Sequence, residues 1–233
     1  MKAALKLPGA DSSAAQLLER LRAQVANAEA RIRQQPFGVH PALAPALPEP
    51  GLKPGAAYSL DNGGALLHAL LAEPSQEGHW CGVVGLPTFA AEAAELAGVR
   101  LERLVLVPEP GEQWLAVTAA LAEVVPVLAV RPPGRVRESD ASRLASRMRD
   151  RGAVLLVIGE WPRAEARLVV GEQHWLGLGL GDGYGCLTSR EVQVAVTSRR
   201  YPAGRSVRLV LPAADGRMAA AGQPTAPLLR VAG

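Results

Sequence analysis

The residues that decide the fold of this chain run Ala56-Ala57-Tyr58-Ser59-Leu60-Asp61-Asn62-Gly63-Gly64-Ala65-Leu66. The first five form a short apolar run, which is typical of a buried strand. The next four are residues that favour tight turns. The apolar stretch that follows, residues 65–72, is rich in the strong helix formers alanine and leucine. The sequence therefore predicts a strand, a glycine turn and a helix in immediate succession.

The same order of elements forms the phosphate-binding loop of nucleoside triphosphatases, G-x-x-x-x-G-K-[ST]. In that alignment Ala65 stands in place of the phosphate-binding lysine and Leu66 in place of the magnesium-binding hydroxyl. Asp61 also adds a negative charge to the turn that would receive the phosphate. We therefore expect a degenerate nucleotide loop, formed by Ser59, Asp61, Asn62, Gly63, Gly64, Ala65 and Leu66.

Composition favours one ordinary domain with tails. The chain has 233 residues, of which 48% are hydrophobic and 20% charged, and these values are typical of globular proteins. Its two cysteines, Cys81 and Cys186, do not suggest a disulfide framework. We find no signal-peptide pattern and no apolar run of about 18 residues. The expected location is the cytoplasm, with no membrane contact.

The N-terminal part predicts an amphipathic helix over residues 12–34, within an arm of residues 1–35. Its apolar residues recur at helical spacing and include Leu17, Leu18, Leu21 and Val25. Such a helix either folds back on its own core or docks on another subunit. The proline-rich residues 36–54 predict an extended linker between this arm and a core of residues 55–212.

The core predicts an α/β fold with a mainly parallel sheet that is flanked by helices. Short runs of mostly β-branched residues predict buried strands at 80–85, 104–107, 124–130 and 153–158. Helical stretches alternate with them at 65–72, 90–97, 112–123 and 139–151. Later segments alternate polar and apolar residues and predict antiparallel strands at 166–170, 191–196 and 206–211. Residues 213–233 are rich in alanine, glycine and proline and predict a disordered tail.

The carboxylates that ATP hydrolysis requires are missing as well. Hydrolysis needs an acid that holds magnesium and a carboxylate that orients water, both near the ends of inner strands. The strand at 81–84 leads to Pro87, and the strand at 127–130 ends at Arg131. The four histidines show no metal-ligand spacing. We therefore expect no ATP hydrolysis, no metal and no cofactor.

Arginines concentrate between residues 131 and 167 and could contact DNA phosphates or a partner protein. Trp161 lies just past a predicted strand and could stack on a base. The alternatives are a solvated helix face for the arginines and a core position for the tryptophan. The candidate contacts are Arg135, Arg137, Arg143, Arg147, Trp161 and Arg163.

The chain resembles the core of the RecA recombinase family over residues 50–212, and most closely the ImuA-type proteins of bacterial mutagenesis cassettes. The segment Pro108-Glu109-Pro110-Gly111-Glu112-Gln113 is similar to the P-x-x-G-E-Q turn of that family. The spacing from the degenerate loop to this turn, and on to the strand that ends at Arg131, also fits. Glu160 replaces the glutamine that senses nucleotide in the family.

The resemblance also indicates which residues of this chain stand at the family's functional positions. The family's lysine, threonine, catalytic glutamate and magnesium-binding aspartate correspond here to Ala65, Leu66, Pro87 and Arg131. The two DNA-binding loops of the family follow the strands that end at Arg131 and Glu160, and both are shortened in this chain.

The resemblance implies a non-catalytic accessory protein of damage-induced mutagenic translesion DNA synthesis, part of the SOS response. The implied partners are an ImuB-type inactive polymerase, RecA and an error-prone DnaE-type polymerase, and self-association is a further expectation. Two alternatives remain at this point. A glycine turn at a helix start can bind phosphate through backbone N–H groups alone, which would allow a nucleotide switch or weak ATPase. The arginine-rich face would allow a DNA-binding module.

Overall fold

The computed structural model describes residues 35–178 and 185–222, and before Gln35 it describes only Glu19 and Arg22, both helical and exposed. The chain divides into two compact units, Met1–Gln35 and Pro36–Gly233. The predicted docking residues Leu17, Leu18, Leu21 and Val25 lie outside the described residues, as do residues 223–233.

Five parallel strands form the first half of the sheet, and every described strand of the chain belongs to this one sheet of nine. Their order is β3-β2-β4-β5-β1, followed by β6-β7-β8-β9. The five are β1 (Ala57–Leu60), β2 (Cys81–Val84), β3 (Leu104–Val107), β4 (Val127–Val130) and β5 (Val154–Ile158). The two central strands β4 and β5 are buried along their whole length, which explains their uninterrupted apolar sequence.

The second half of the sheet consists of antiparallel strands, and only its junction with the first half is a parallel pairing. β6 (Ala166–Leu178) pairs parallel with β1 and antiparallel with β7 (Gly185–Ser198). β8 (Arg205–Val210) and the short β9 (Ala219–Ala220) complete it. The mixed α/β class that the sequence predicts is confirmed, and the architecture is compatible with a RecA-like core.

Helices cover both faces of the sheet and enclose two apolar layers. One layer contains α1 (Ala65–Gln76) and Ala94 of α2 (Ala91–Leu96). The other contains α3 (Trp114–Leu121) and α4 (Glu138–Arg151). α4 has acidic residues in its first turn and arginines in its last, and it ends at Gly152 with φ 68°. The charges at both ends interact favourably with the helix dipole, and the left-handed glycine ends the helix.

The prediction of an extended linker over residues 36–54 is wrong. Phe37 and Leu52 pair in an antiparallel bridge, and a short 3₁₀ turn spans Ala44–Ala46. Leu43 and Leu52 are almost fully buried, at 1% and 0% exposure. The prolines suggested an open chain, but the apolar residues between them pack into the core and outweigh that preference.

The prediction of disorder directly after Pro212 is also wrong for residues 213–222. Ala213 and Met218 are buried, and the N–H of Ala213 donates to the carbonyl of Arg217 at 2.7 Å. β9 then pairs with β8. The small side chains of this segment carry little hydrophobic signal, but they fit beside the last antiparallel strand.

Candidate functional site

The degenerate loop begins at a buried serine that is bonded to another strand end. Ser59 is 4% exposed, and its Oγ accepts a hydrogen bond from the N–H of Trp161 at 3.1 Å. β1 lies next to β5 in the sheet, so the first residues after β5 come within reach of β1. A glycine at position 59 would leave this buried N–H without an acceptor.

Asp61 fixes the turn to β6. Its backbone N–H donates to the carbonyl of Leu168 at 3.3 Å, and its Oδ2 accepts from the N–H of Val170 at 3.1 Å. The carboxylate thus continues the hydrogen-bond pattern between β1 and β6 past the end of β1. The sequence indicated only that Asp61 places a negative charge in the turn, and it did not reveal this structural role.

Asn62 closes the turn from within. Its Oδ1 accepts from the N–H of Gly64 at 3.1 Å, and its Nδ2 donates to Asp61 Oδ1 at 3.0 Å. The N–H groups at a helix start are the donors that a bound phosphate would use. At Gly64 the protein itself supplies the acceptor, so a phosphate would have to displace Asn62.

Gly63 packs against apolar side chains. A Cβ on this residue would lie 3.1 Å from Leu86 Cδ2 and 3.4 Å from Ile158 Cγ1. Leu86 is 3% exposed and belongs to the apolar layer around α1. The absence of a side chain at Gly63 therefore serves the close packing of the loop on the turn after β2.

The first residues of α1 carry no phosphate chemistry. Ala65 is half-buried, and Leu66 is 1% exposed within the core. The position that would hold a magnesium-binding hydroxyl thus contributes to hydrophobic packing instead. The structure confirms that both residues lie at the helix start, as the loop pattern predicted.

Pro87 and Arg131 lie at the same edge of the sheet as the loop. Pro87 is exposed in the turn after β2, and Arg131 is exposed directly after β4. The N–H of Arg131 donates to the carbonyl of Val84 at 2.9 Å, which ties these two strand ends together. The structure thus brings the replaced positions to one edge, where none of them offers a carboxylate.

A groove of about 1180 Å³ opens beside this loop, at the carboxyl ends of β4 and β5. Ser59 contributes to its wall, together with the segments that follow the two strands. The cations that line the groove are Arg135, Arg137 and Arg167, and the acids are Glu138 and Glu160. In open α/β sheets this edge is the usual place for ligands.

Two ion pairs neutralise part of the charge around the groove. Arg167 Nη1 lies 3.6 Å from Glu160 Oε1, and Arg163 pairs with Glu138. All four side chains are more than half exposed, so each pair contributes little stability. Arg135 and Arg137 take part in none of the ion pairs found among the described residues.

Trp161 lines the groove but exposes little of its side chain. It is 6% exposed and belongs to the apolar layer that also contains Val136 and Leu144. Of the two alternatives that the sequence left open for Trp161, its burial favours the core position over base stacking. The short connection after β5 turns its side chain into the core, while its backbone N–H holds Ser59.

The predicted arginine face divides into two separate places. Arg135 and Arg137 line the groove, whereas Arg143 and Arg147 line an apolar depression between α3 and α4. Arg163 lies beside the groove, at the mouth of a smaller cavity of about 320 Å³, and has an unusual positive φ of 57°. The arginines thus line different cavities.

His68 on α1 is buried, at 6% exposure. Its Nε2 has no hydrogen-bond partner, and its ring packs edge-on against Phe89 at a centroid distance of 5.0 Å. Burial lowers its pKa below the ordinary value of 6.5, because desolvation disfavours the charged ring.

Two kinds of feature do not occur in the part of the chain that the structure describes. Within residues 35–178 and 185–222, no cluster of three or more His, Cys, Asp or Glu side chains could hold a metal ion. Nor does any helix among these residues have the length and apolar character to cross a bilayer.

Residues 45–163 match the sequence profile of the MT3502 N-terminal domain, which is just over half of the chain. The match runs from the 3₁₀ turn to the connection after β5 and thus includes the degenerate loop. The chain is also 31% identical over 156 residues to the uncharacterised protein Rv3395c of Mycobacterium tuberculosis, covering 66% of this chain and 76% of that protein. The chain therefore belongs to the family defined by the MT3502 N-terminal domain.

Proposed function

We propose that this protein is an ImuA-type, non-catalytic accessory factor of damage-induced mutagenic translesion DNA synthesis. In this role a RecA-like core presents binding surfaces to other proteins and hydrolyses no nucleotide. Its proposed partners are an ImuB-type inactive polymerase, RecA and an error-prone DnaE-type polymerase.

The observation that carries the proposal is the internal closure of the loop. Asn62 occupies the N–H of Gly64, Leu86 packs on Gly63, and Leu66 lies in the core. Phosphoryl transfer depends on positioned cations and on a carboxylate that orients the nucleophile. Loss of these groups, while the surrounding fold is kept, favours a scaffold that acts through contacts.

Genetic complementation in the source organism tests the role. We expect deletion of the gene to reduce the frequency of mutations induced by ultraviolet light, and a plasmid copy to restore it. A copy with Ala65→Asp, which adds a negative charge at the helix start, should restore it equally well. An undiminished mutation frequency in the deletion strain would contradict the proposal, and so would ATP hydrolysis by the purified protein.

Binding measurements with purified proteins test the mode of action separately. The full chain should retain the ImuB-type protein, RecA or the DnaE-type polymerase in a pull-down. Calorimetric titration with ATP and magnesium should give no binding tighter than about 100 μM, a free energy of roughly 5.5 kcal/mol. Tighter binding would favour the alternative of a nucleotide switch.

The groove favours nucleic-acid binding as a second candidate function. Arg135 and Arg137 line it outside the described ion pairs, and a cationic groove can follow a phosphate backbone. Retention of single-stranded DNA should then weaken with salt and be lost in the double variant Arg135→Glu, Arg137→Glu. The control is the double variant Arg149→Glu, Arg151→Glu, which should retain single-stranded DNA as well as the wild type. If the wild type retains no DNA even at low salt, this candidate is excluded.

A further inference from the structure

An apolar trough lies between α3 and α4, on the outer side of these two helices. It encloses about 310 Å³. Its floor consists of Leu115 and Ala119 from α3 and the deeply buried Leu144 from α4. We call this depression the α3–α4 trough. It is remote in sequence from the degenerate loop and shares no lining residue with the groove.

The shape of the trough follows from small side chains. Ala116 and Ala120 are exposed at its border, and Ala119 is half-buried between them. Because alanine fills little volume, the two helices leave a channel that no described element of the chain covers. An added helix could approach closely there and bury apolar surface, which is the usual source of affinity in such grooves.

The charge at the border of the trough is predominantly positive. Arg143 and Arg147 are both exposed, lie one turn apart on α4, and take part in none of the ion pairs among the described residues. Asp140 is the acid that lines the trough. Arg151, one turn further, is paired with Glu123 near the end of α3.

We infer that the α3–α4 trough binds an acidic amphipathic helix of a partner protein. Apolar side chains of that helix would enter the trough over Ala119, and carboxylates one turn apart would pair with Arg143 and Arg147. An apolar floor between helices is not needed for contact with DNA phosphates, so the surface fits a protein helix better. The inference rests on these two helices alone and does not depend on the proposed role in translesion synthesis.

A pair of designed peptides tests this inference with the full chain. The acidic probe is an amphipathic peptide of about 16 residues, long enough to form an isolated helix, with leucines on one face flanked by glutamates. In the matched probe, lysines replace the glutamates. Fluorescence anisotropy should show binding of the acidic probe, weakening with salt, and at least about tenfold weaker binding of the lysine probe.

Two variants distinguish the contribution of the arginine charges to peptide binding from that of the apolar trough. Arg143→Glu with Arg147→Glu should weaken the acidic probe by at least about tenfold and reverse the preference between the two probes. Ala120→Trp should obstruct the trough and weaken both probes, whereas Ala93→Trp, an exposed position on α2, should leave binding unchanged. Circular dichroism would establish that each variant is folded.

Several results would overturn the inference. One is absence of binding at about 1 mM peptide, a concentration well above the dissociation constants of weak specific complexes. Another is binding that neither Ala120→Trp nor the arginine reversals weaken. A dimer that Ala120→Trp dissociates would assign the trough to a second copy. If a peptide of residues 12–34 binds more strongly than the acidic probe, the trough is assigned to the chain's own N-terminal segment. If DNA binding depends on Arg143 and Arg147 but is unaffected by Ala120→Trp, these arginines are assigned to nucleic acid.

Discussion

Ser59 and Trp161 are joined by a buried hydrogen bond in which the backbone N–H of Trp161 donates to Ser59 Oγ at 3.1 Å. This bond connects the end of β1 with the short connection after β5. A phosphate loop would have a glycine at position 59 and no side chain to make this contact. The Ser59 side chain thus links neighbouring strand ends at this position.

Ser59→Ala should lower the free energy of unfolding by about 1–3 kcal/mol, because the N–H of Trp161 would lose its acceptor in a buried site. Urea denaturation followed by circular dichroism measures the change. Ser142→Ala, at an exposed position of α4, is the matched control and should change stability by less than about 0.5 kcal/mol. Equal stability of the two variants would mean that the bond contributes nothing.

His68 should make the stability of the protein depend on pH. Burial lowers its pKa below 6.5, so below about pH 6.5 the unfolded chain binds more protons than the folded one. The free energy of unfolding should therefore decrease as the pH falls from 6.5 toward the lowered pKa of the folded state.

His68→Leu should remove this component, and it should also remove the buried Nε2 that has no partner. Denaturation at several pH values between about 5 and 8 would compare the variant with the wild type. His174→Gln, at an exposed position of β6, provides the control and should keep the pH dependence. An identical pH dependence of the wild type and His68→Leu would contradict the prediction.

Restoring the loop residues should not restore ATP hydrolysis. The double variant Ala65→Lys, Leu66→Thr introduces the lysine and hydroxyl of the phosphate-binding loop pattern, but Pro87 and Arg131 still supply no carboxylate. Leu66 is 1% exposed, so its replacement by threonine should cost about 2–4 kcal/mol through lost packing and a buried hydroxyl. Phosphate release and urea denaturation are the two measurements.

Ala65→Lys alone separates the two effects, because Ala65 is half-buried and lies at the helix start. We expect it to fold with nearly unchanged stability and to remain inactive. Hydrolysis by either variant, dependent on magnesium, would show that the two missing carboxylates are not required.

Gly85→Ala should destabilise the edge of the sheet that carries the loop. Gly85 has φ 74°, and a Cβ there would lie 2.5 Å from the carbonyl oxygen of Arg131. Strain and collision together should cost about 1–3 kcal/mol. Gly134→Ala is the matched control, since a Cβ at Gly134 meets nothing within 4 Å. Thermal unfolding of both variants would test the difference.

The sequence predicted the bounds of some elements almost to the residue. The predicted strand at 104–107 coincides with β3, and the predicted helix at 139–151 differs from α4 by one residue at its start. The strand predicted from residue 124 begins only at Val127, because Val124 is exposed, at 75%, in the turn after α3. Local apolar character cannot distinguish such an exposed residue from the buried strand that follows it.

The site was only partly predictable. The loop residues and the replaced positions Pro87 and Arg131 lie at one edge of the sheet, as the order of parallel strands requires. The bonds from Ser59 to Trp161 and from Asp61 to Val170 join residues far apart in sequence, so no local pattern revealed them. The same is true of Trp161, which chain position alone could not assign to core or surface.

The sequence by itself determined the α/β class and the identity of the residues that stand in place of the lysine and hydroxyl of the phosphate-loop pattern, because hydrophobic periodicity and residue identity are local properties. Only the tertiary structure decided that residues 36–54 pack on the core and that Asn62 and Leu86 close the loop. It also decided the surroundings of the arginines: Arg143 and Arg147 border an apolar trough, whereas Arg135 and Arg137 line a groove. The physical reason is that burial and hydrogen-bond partners depend on contacts between distant segments, and these contacts outweigh local preferences when the chain folds.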